Sequence, residues 1–491
     1  MTRQFTPAAV RAMGATLHRV LLNVVSTTGM RLLSAGLSFG FFVVIARQRE
    51  APFVGAFSTI FTLFAFTQLL PLLGLHMSLV RDSVKPGEDA LRQAADVLAI
   101  GLGAALLLGL ALGSIGLLLY PPELHLPIWL VAACLPLHAC MLVGDSLLIG
   151  RERMSLVAFI NGGESLLRLA GWIVMALLGW GLVAMSSWML FARLLAVGVH
   201  RMNGGLKGVP VLAPSWSGMS GQLRTVPIFL GIVLAASVIA RQDSLLLPLL
   251  GGLHASALYA VGFKVYEAAL MVPQSVALAL YPTIVRHFTR DSTAYVRLIS
   301  DLLGLVLLLG LPCALLTAAF IGPLIVSLFG PGYADSVPVI QLLIFATVLV
   351  AADQIMSSVM IAAHRQRLDL TVLATAGIGG TVLLSVLIPV YGHVGAAAAV
   401  LSMLALQVVV RGALLRSIVR LTFSSILLRP LLAAGVMALA LVAGQEWHWA
   451  LQLFAALAGF LLVAWISGIL AALHPQRLQA MLRGGVETVP A

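Results

Sequence analysis

The 491-residue chain is 60% hydrophobic and only 10% charged. Soluble domains carry about 25% charged residues, so a water-soluble globule is excluded: too little polar surface exists to cover one. The formal net charge of +11 does not mark a nucleic-acid binder, because the basic residues fall singly or in small groups between apolar runs.

In chain order, residues 1–23 carry Arg3, Arg11 and Arg19, offer no clean cleavage site, and read as a cytoplasmic tail. A membrane-crossing helix needs about 20 mostly apolar residues. Such runs lie at 24–46, 53–75, 95–119, 128–149, 157–178 and 182–200. The segment 200–224, "HRMNGGLKGVPVLAPSWSGMSGQLR", is rich in Gly, Pro and Ser and reads as a loop. Six further runs follow at 225–248, 257–280, 303–326, 338–361, 370–390 and 394–415, and two more near 430–445 and 449–472. The expected architecture is an all-α polytopic membrane protein with about 14 transmembrane helices. A first lobe covers residues 1–212, a second covers 213–424, and two extra spans with a tail cover 425–491. Of the 29 Lys and Arg, 21 sit in the termini or in the loops of one side, while the opposite loops hold Arg47 and Arg49. That asymmetry places both termini in the cytoplasm.

Two groups of six spans predict a parallel pseudo-twofold repeat, because an even number of spans returns the second lobe to the orientation of the first. A local echo agrees: a short turn with small residues leads to Phe57 after the first span and to Tyr259 after the seventh. Repeats of this kind set a substrate site between the lobes, where rocking gives alternating access.

No metal or cofactor is expected. Cys134, Cys140 and Cys313 lie within apolar runs without CxxC or Cys/His spacing and read as buried small hydrophobes, and the 11 histidines show no ligand pattern. The informative residues are the charges inside the spans, each costing about 2.5–3.5 kcal/mol at a helix centre. They are Arg31, Asp145, Glu164, Arg168 and Arg193 in the first lobe, and Arg241, Asp243, Lys264, Glu267, Asp353 and Arg411 in the second. Glu164 and Arg168 are four apart and Lys264 and Glu267 three apart, so each pair shares a helix face and is expected to bond. Arg193, Arg411 and Asp145 lie near span ends and are expected to anchor at the interface. Tyr259, Tyr281, Trp172, Trp180 and Trp188 read as interface-belt aromatics. Gln68 and Asn161 are placed to hydrogen-bond either sugars or a neighbouring helix.

Arg31 has no acid three or four positions away. With Arg241 and Lys264 it forms a candidate cationic cleft, because a guanidinium fork takes two oxygens of a diphosphate at once. Asp243 and Glu267, with Glu164 and Arg168, either couple transport to H⁺ or Na⁺ or balance the cations; both readings stand.

Two stretches carry a resemblance. "ARQREAPFVGAFS" (46–58) has Arg47 in an outer turn, and "RQDSLLLPLLGGLHASALYAVGFKVYEAALMVPQSVALALYPTIVRH" (241–287) runs from an Asp through a Gly turn, a Tyr and a basic residue to an exit at Pro282 and Arg286. On these residues and the whole-chain layout, the protein resembles the polysaccharide-transporter flippases, in particular the O-antigen and exopolysaccharide branch. That group also contains the multidrug and toxin exporters (MATE) and the lipid II flippase. The resemblance implies a MATE-like fold that moves an isoprenoid-pyrophosphate-linked oligosaccharide between leaflets of a bacterial inner membrane. It further implies no cofactor, no catalysis, and a polymerase and other polysaccharide-assembly proteins as partners. Two relatives of that group are the alternatives: a drug/H⁺ or drug/Na⁺ antiporter, whose cleft should be net negative, and a lipid II flippase, whose family carries more cations in spans one, two and eight. An enzyme is disfavoured, because the external loops are short and offer single acids, Glu123 and Asp335.

Overall fold

The computed structural model describes residues 29–30, 32–83, 88–209, 214–223, 226, 241–288, 293–419, 421 and 423–468. Among these residues all regular structure is helical. That follows from the medium: a lipid-facing backbone has no water to bond, so each segment closes its own hydrogen bonds. The chain divides into two compact units, Met1–Arg241 and Gln242–Ala491. Residues 210–213, which include the expected lobe boundary, and residues 227–240, most of the expected seventh span, lie outside the described residues.

The first unit contains α1 (Leu32–Gln48), α2 (Ala51–Thr67), α3 (His76–Asp82), α4 (Glu88–Leu119), α5 (Pro122–Ala132), α6 (Cys134–Gly150), α7 (Met154–Leu177), α8 (Leu182–Met202) and α9 (Trp216–Leu223). Helices α5 and α6 run on through Ala133 as one apolar stretch, Pro122–Gly150. Pro52 and Pro122 sit in the first turns of α2 and α5, where a missing N–H costs nothing. Helix α4 packs on α5, α6 and α9, α8 packs on α5, α6 and α7, and α5 meets α2. Trp172 is buried rather than at an interface: its Nε1 donates to the Met185 carbonyl at 2.9 Å, and its ring meets Phe41, Phe57 and Phe61 at centroid distances of 5.4, 5.0 and 5.7 Å. Trp180 stays half exposed, and its carbonyl accepts from Arg49 in the α1–α2 turn.

The second unit contains α10 (residues 241–250, of which Arg241 is counted with the first unit), α11 (Gly252–Arg286), α12 (Thr293–Phe329), a 3₁₀ turn (Pro331–Ser336), α13 (Val337–Ala362), α14 (Gln366–Leu415), α15 (Phe423–Ala443) and α16 (Trp449–Ile466). Helix α13 is the axis; α11, α12 and α14 surround it, and α15 packs on α12 and α16. Tyr259, expected at an interface, is buried here beside Phe263. Cys313 is exposed, unlike Cys134.

The 50 residues of α14 would reach about 75 Å as one straight helix, far beyond a hydrocarbon core of about 30 Å. Gly392 breaks it with φ 56° and ψ −130°, which gives the two arms expected as separate spans. Nine described helices are long and apolar enough to cross a membrane, α14 counting as one, and Leu32–Gln48 and Ala51–Thr67 are shorter apolar helices. The 24-residue α7 is long enough but carries Glu164 and Arg168.

One turn recurs. Glu152 and His364, at positions 212 apart, are both left-handed, with φ 60° and 57°. Around the first, Glu152 N–H donates to Ile149 and Arg153 N–H to Leu148, each at 2.9 Å. Around the second, His364 N–H donates to Ile361 at 3.0 Å and Arg365 N–H to Met360 at 2.9 Å. A six-to-one bond closing past a left-handed residue is the Schellman helix ending, and here it joins α6 to α7 and α13 to α14. The same ending also closes α7, where Gly179 has φ 81° and Trp180 N–H donates to Met175 at 2.9 Å.

Gly392→Ala tests the break. An added Cβ meets nothing within 4 Å, so the cost is the backbone conformation alone, about 1–3 kcal/mol. A lowered unfolding temperature of the detergent-solubilised protein is expected; an unchanged one would show that the arms do not need this conformation.

Candidate functional site

Each unit has a charge network at its centre. In the first, Glu164 on α7 is shared by two guanidiniums. Arg168 Nε lies 3.0 Å from its Oε1, one turn along the same helix, and Arg193 Nε from α8 lies 3.3 Å from the same oxygen. Arg193 Nε makes no hydrogen bond; its other nitrogens reach two more helix segments, Nη1 on His138 Nδ1 of α6 at 2.7 Å and Nη2 on Gln68 Oε1 at the end of α2 at 3.4 Å. Aromatic faces flank both cations, Phe64 at 5.1 Å from Arg193 and Trp172 at 4.9 Å from Arg168. Side-chain exposure is 4% for Glu164, 8% for Arg193 and 11% for Arg168. One carboxylate faces two fixed cations, so the cluster carries a surplus positive charge.

Nearer the Glu152 turn, Asp145 on α6 accepts from Asn161 Nδ2 on α7 at 2.7 Å, and its Oδ1 lies 3.3 Å from His200 Nε2 on α8.

The second unit reverses the balance. Arg411, on the second arm of α14 and 1% exposed, bonds Asp353 of α13 and holds Asp369 of the first arm at 2.8 Å. Gln407, one turn before Arg411, donates to Asp353 at 2.7 Å, and Ser357 donates to Asp369 at 3.1 Å. Two carboxylates here share one cation. Elsewhere in the unit Tyr259 donates to the buried Asp243, Thr381 donates to Gln242 at 2.7 Å, and Lys264 bonds Glu267 at 2.7 Å.

A family model described as "Polysaccharide biosynthesis protein" matches residues 51–338. The chain belongs to this family. No curated protein matches it in sequence. Among solved structures, the lipid II flippase MurJ in an inward closed conformation aligns with a TM-score of 0.69 at 12% identity, covering 90% of this chain and 98% of MurJ. An inward-facing multidrug resistance MATE transporter of the MOP superfamily aligns at 0.61 and 14%, covering 81% and 97%. A mutant of the Vibrio cholerae MATE transporter VcmN aligns at 0.50 and 16%, covering 81% and 95%. At these identities the likeness is one of fold, and the expected MATE-like membrane architecture of this polysaccharide biosynthesis protein is the fold observed.

Of the residues singled out from sequence, the pairs Glu164–Arg168 and Lys264–Glu267 form as spaced. Arg31 lies outside the described residues, and Arg241, half buried, opens the described part of α10. Asp243 bonds Tyr259, a partner sixteen positions on that no helical spacing announces. Three assignments to the membrane interface are corrected. Arg193, Arg411 and Asp145 do not snorkel; each is turned inward onto partners from other helices. Gln68 and Asn161 bond neighbouring helices. Spacing missed these contacts because they join residues 16 to 125 positions apart, although Gln407 and Arg411, four apart on an apolar face, marked a polar seam. Among the described residues, no group of three His, Cys, Asp or Glu is placed to hold a metal.

Arg411→Leu leaves two carboxylates buried together, and a loss of about 3–5 kcal/mol is expected. Lys264→Met acts on a pair that is 17% and 42% exposed, where at most about 1 kcal/mol is at stake. Unfolding in detergent checks both; equal effects would mean that burial does not set the strength of these pairs.

Proposed function

We propose that the chain is a flippase that carries an isoprenoid-diphosphate-linked oligosaccharide from the cytoplasmic to the outer leaflet for surface polysaccharide such as O-antigen, capsule or exopolysaccharide. The family supplies the process. The observation that carries the substrate class is the surplus guanidinium around Glu164, where Arg168 and Arg193 share one carboxylate. A planar guanidinium matches a diphosphate as it matches a carboxylate, so an incoming diphosphate can take over donors that Glu164 now holds. The isoprenoid stays in lipid while the head crosses. Arg31, Arg241 and Lys264 are proposed as further cations along the route, with Asp243 and Glu267 balancing them or carrying H⁺ or Na⁺. In this reading the chain transports its substrate without transforming it. The one-sided basic loops favour an inner-membrane orientation with both termini cytoplasmic, and the product would pass to a polymerase and other polysaccharide-assembly proteins.

The surplus carboxylate around Arg411 favours a second reading, export of organic cations. The two separate in a deletion strain. Accumulation of diphosphate-linked oligosaccharide on the cytoplasmic face with loss of surface polymer supports the flippase, whereas unchanged lipids with heightened sensitivity to cationic drugs supports the exporter. In the complemented strain, Arg168→Gln and Arg193→Gln are expected to lower surface polymer at least tenfold at wild-type membrane abundance. Full polymer in both variants would remove the anion site from this cluster.

A further inference from the structure

Among the described residues, Arg193 and Arg411 are the two buried arginines, and the chain satisfies them by different chemistry. Arg411 meets carboxylates on two sides, Asp353 and Asp369. Arg193 lies 3.3 Å from one carboxylate oxygen of Glu164, and that oxygen already bonds Arg168 at 3.0 Å. Its hydrogen bonds go to uncharged acceptors. Nη1 donates to His138 Nδ1 at 2.7 Å and to Met141 Sδ at 3.5 Å, and Nη2 donates to Gln68 Oε1 at 3.4 Å.

The state of His138 follows from its partner. A guanidinium only donates, so the Nδ1 that meets Arg193 carries no proton and the ring is neutral. Gln68 is neutral by its chemistry. A carboxylate is the usual partner of a buried guanidinium, and glutamate has the shape of glutamine. With an acid at position 68 or 138 the cluster would hold two guanidiniums and two carboxylates, and no surplus. Helices α2 and α6 instead solvate Arg193 without neutralising it. The surplus is also set beside a crevice. Phe61 and Trp172, whose ring centres lie 5.9 and 4.9 Å from the Arg168 guanidinium, line it together with Phe57, Met185, Ser186 and Met189.

We propose that Gln68 and His138 are positioning residues that set the specificity of this site. As neutral acceptors they fix the Arg193 fork and keep the Glu164 cluster one charge positive, which selects a diphosphate over a neutral or cationic head group. The inference rests on the flippase reading of that cluster and names what makes it an anion site. Neither residue touches the substrate; both act through Arg193. They hold its Nη1 and Nη2, and its Nε, which makes no hydrogen bond, is left as a donor for an incoming oxygen. Uncharged partners serve this purpose better than acids, because an acid would compete with the diphosphate for the same charge.

The test is isothermal titration calorimetry of inorganic pyrophosphate into the full chain in detergent, with the ligand-free unfolding temperature measured alongside. The proteins are wild type, Gln68→Glu, His138→Gln and His138→Glu. Gln68→Glu keeps the shape and the acceptor and adds only charge. Pyrophosphate should therefore bind it about tenfold more weakly or worse, as expected when an opposing charge is placed at a binding site, while the unfolding temperature stays at or above that of wild type. Unchanged affinity in Gln68→Glu, or a loss that merely follows a lowered unfolding temperature, overturns the proposal. If Gln68→Glu does not accumulate, the His138 pair decides: His138→Glu should bind about tenfold more weakly than His138→Gln, and equal affinities overturn the proposal. A wild type that takes up no pyrophosphate removes the anion site itself and this inference with it. A wild type that binds, beside acidic variants that bind equally well, overturns this inference and leaves the flippase reading standing.

Discussion

Glu164 accepts a hydrogen bond from Arg168 and is ion-paired with Arg193 of a second helix, and α2, α6, α7 and α8 are tied together through that carboxylate and Arg193. Arg168 reaches it from one turn away, which any isolated helix could achieve. Arg193 reaches it only if α8 lies against α7, and its other donors then require His138 of α6 and Gln68 at the end of α2 to be close as well. In a medium that solvates no charge, satisfying one arginine thus specifies the mutual position of four helices. Apolar packing alone is a weaker guide there, because lipid tails are as apolar as the leucines they replace.

The second unit solves the same problem with opposite sign. Arg411 pairs with Asp353 and Asp369 beside Gln407 and Ser357, and it ties both arms of α14 to α13. The α6–α7 and α13–α14 junctions that feed these networks both close with a Schellman turn, at Glu152 and His364. The charges placed on them are not alike. Two guanidiniums face one carboxylate in the first unit, and two carboxylates face one guanidinium in the second.

The helical class, the membrane and the family resemblance were legible in the sequence because each depends on local composition. So were Glu164–Arg168 and Lys264–Glu267, since helical spacing alone brings them together. Trp172 and Tyr259 were misplaced by the same local logic: aromatic residues near run ends are common at membrane interfaces, yet these two are buried on Met185 and Asp243.

By itself, then, the sequence determined that this chain is a helical protein that crosses a membrane many times, and which charges neutralise each other along one helix. Only the tertiary structure decided that Arg193, Arg411, Asp145 and His200 face inward, and that the clusters around Glu164 and Arg411 hold opposite excesses of charge. The physical reason is distance along the chain. A cost of several kcal/mol for a lone charge announces that a partner exists, but a partner on another helix, up to 125 positions away, is chosen by how the helices pack.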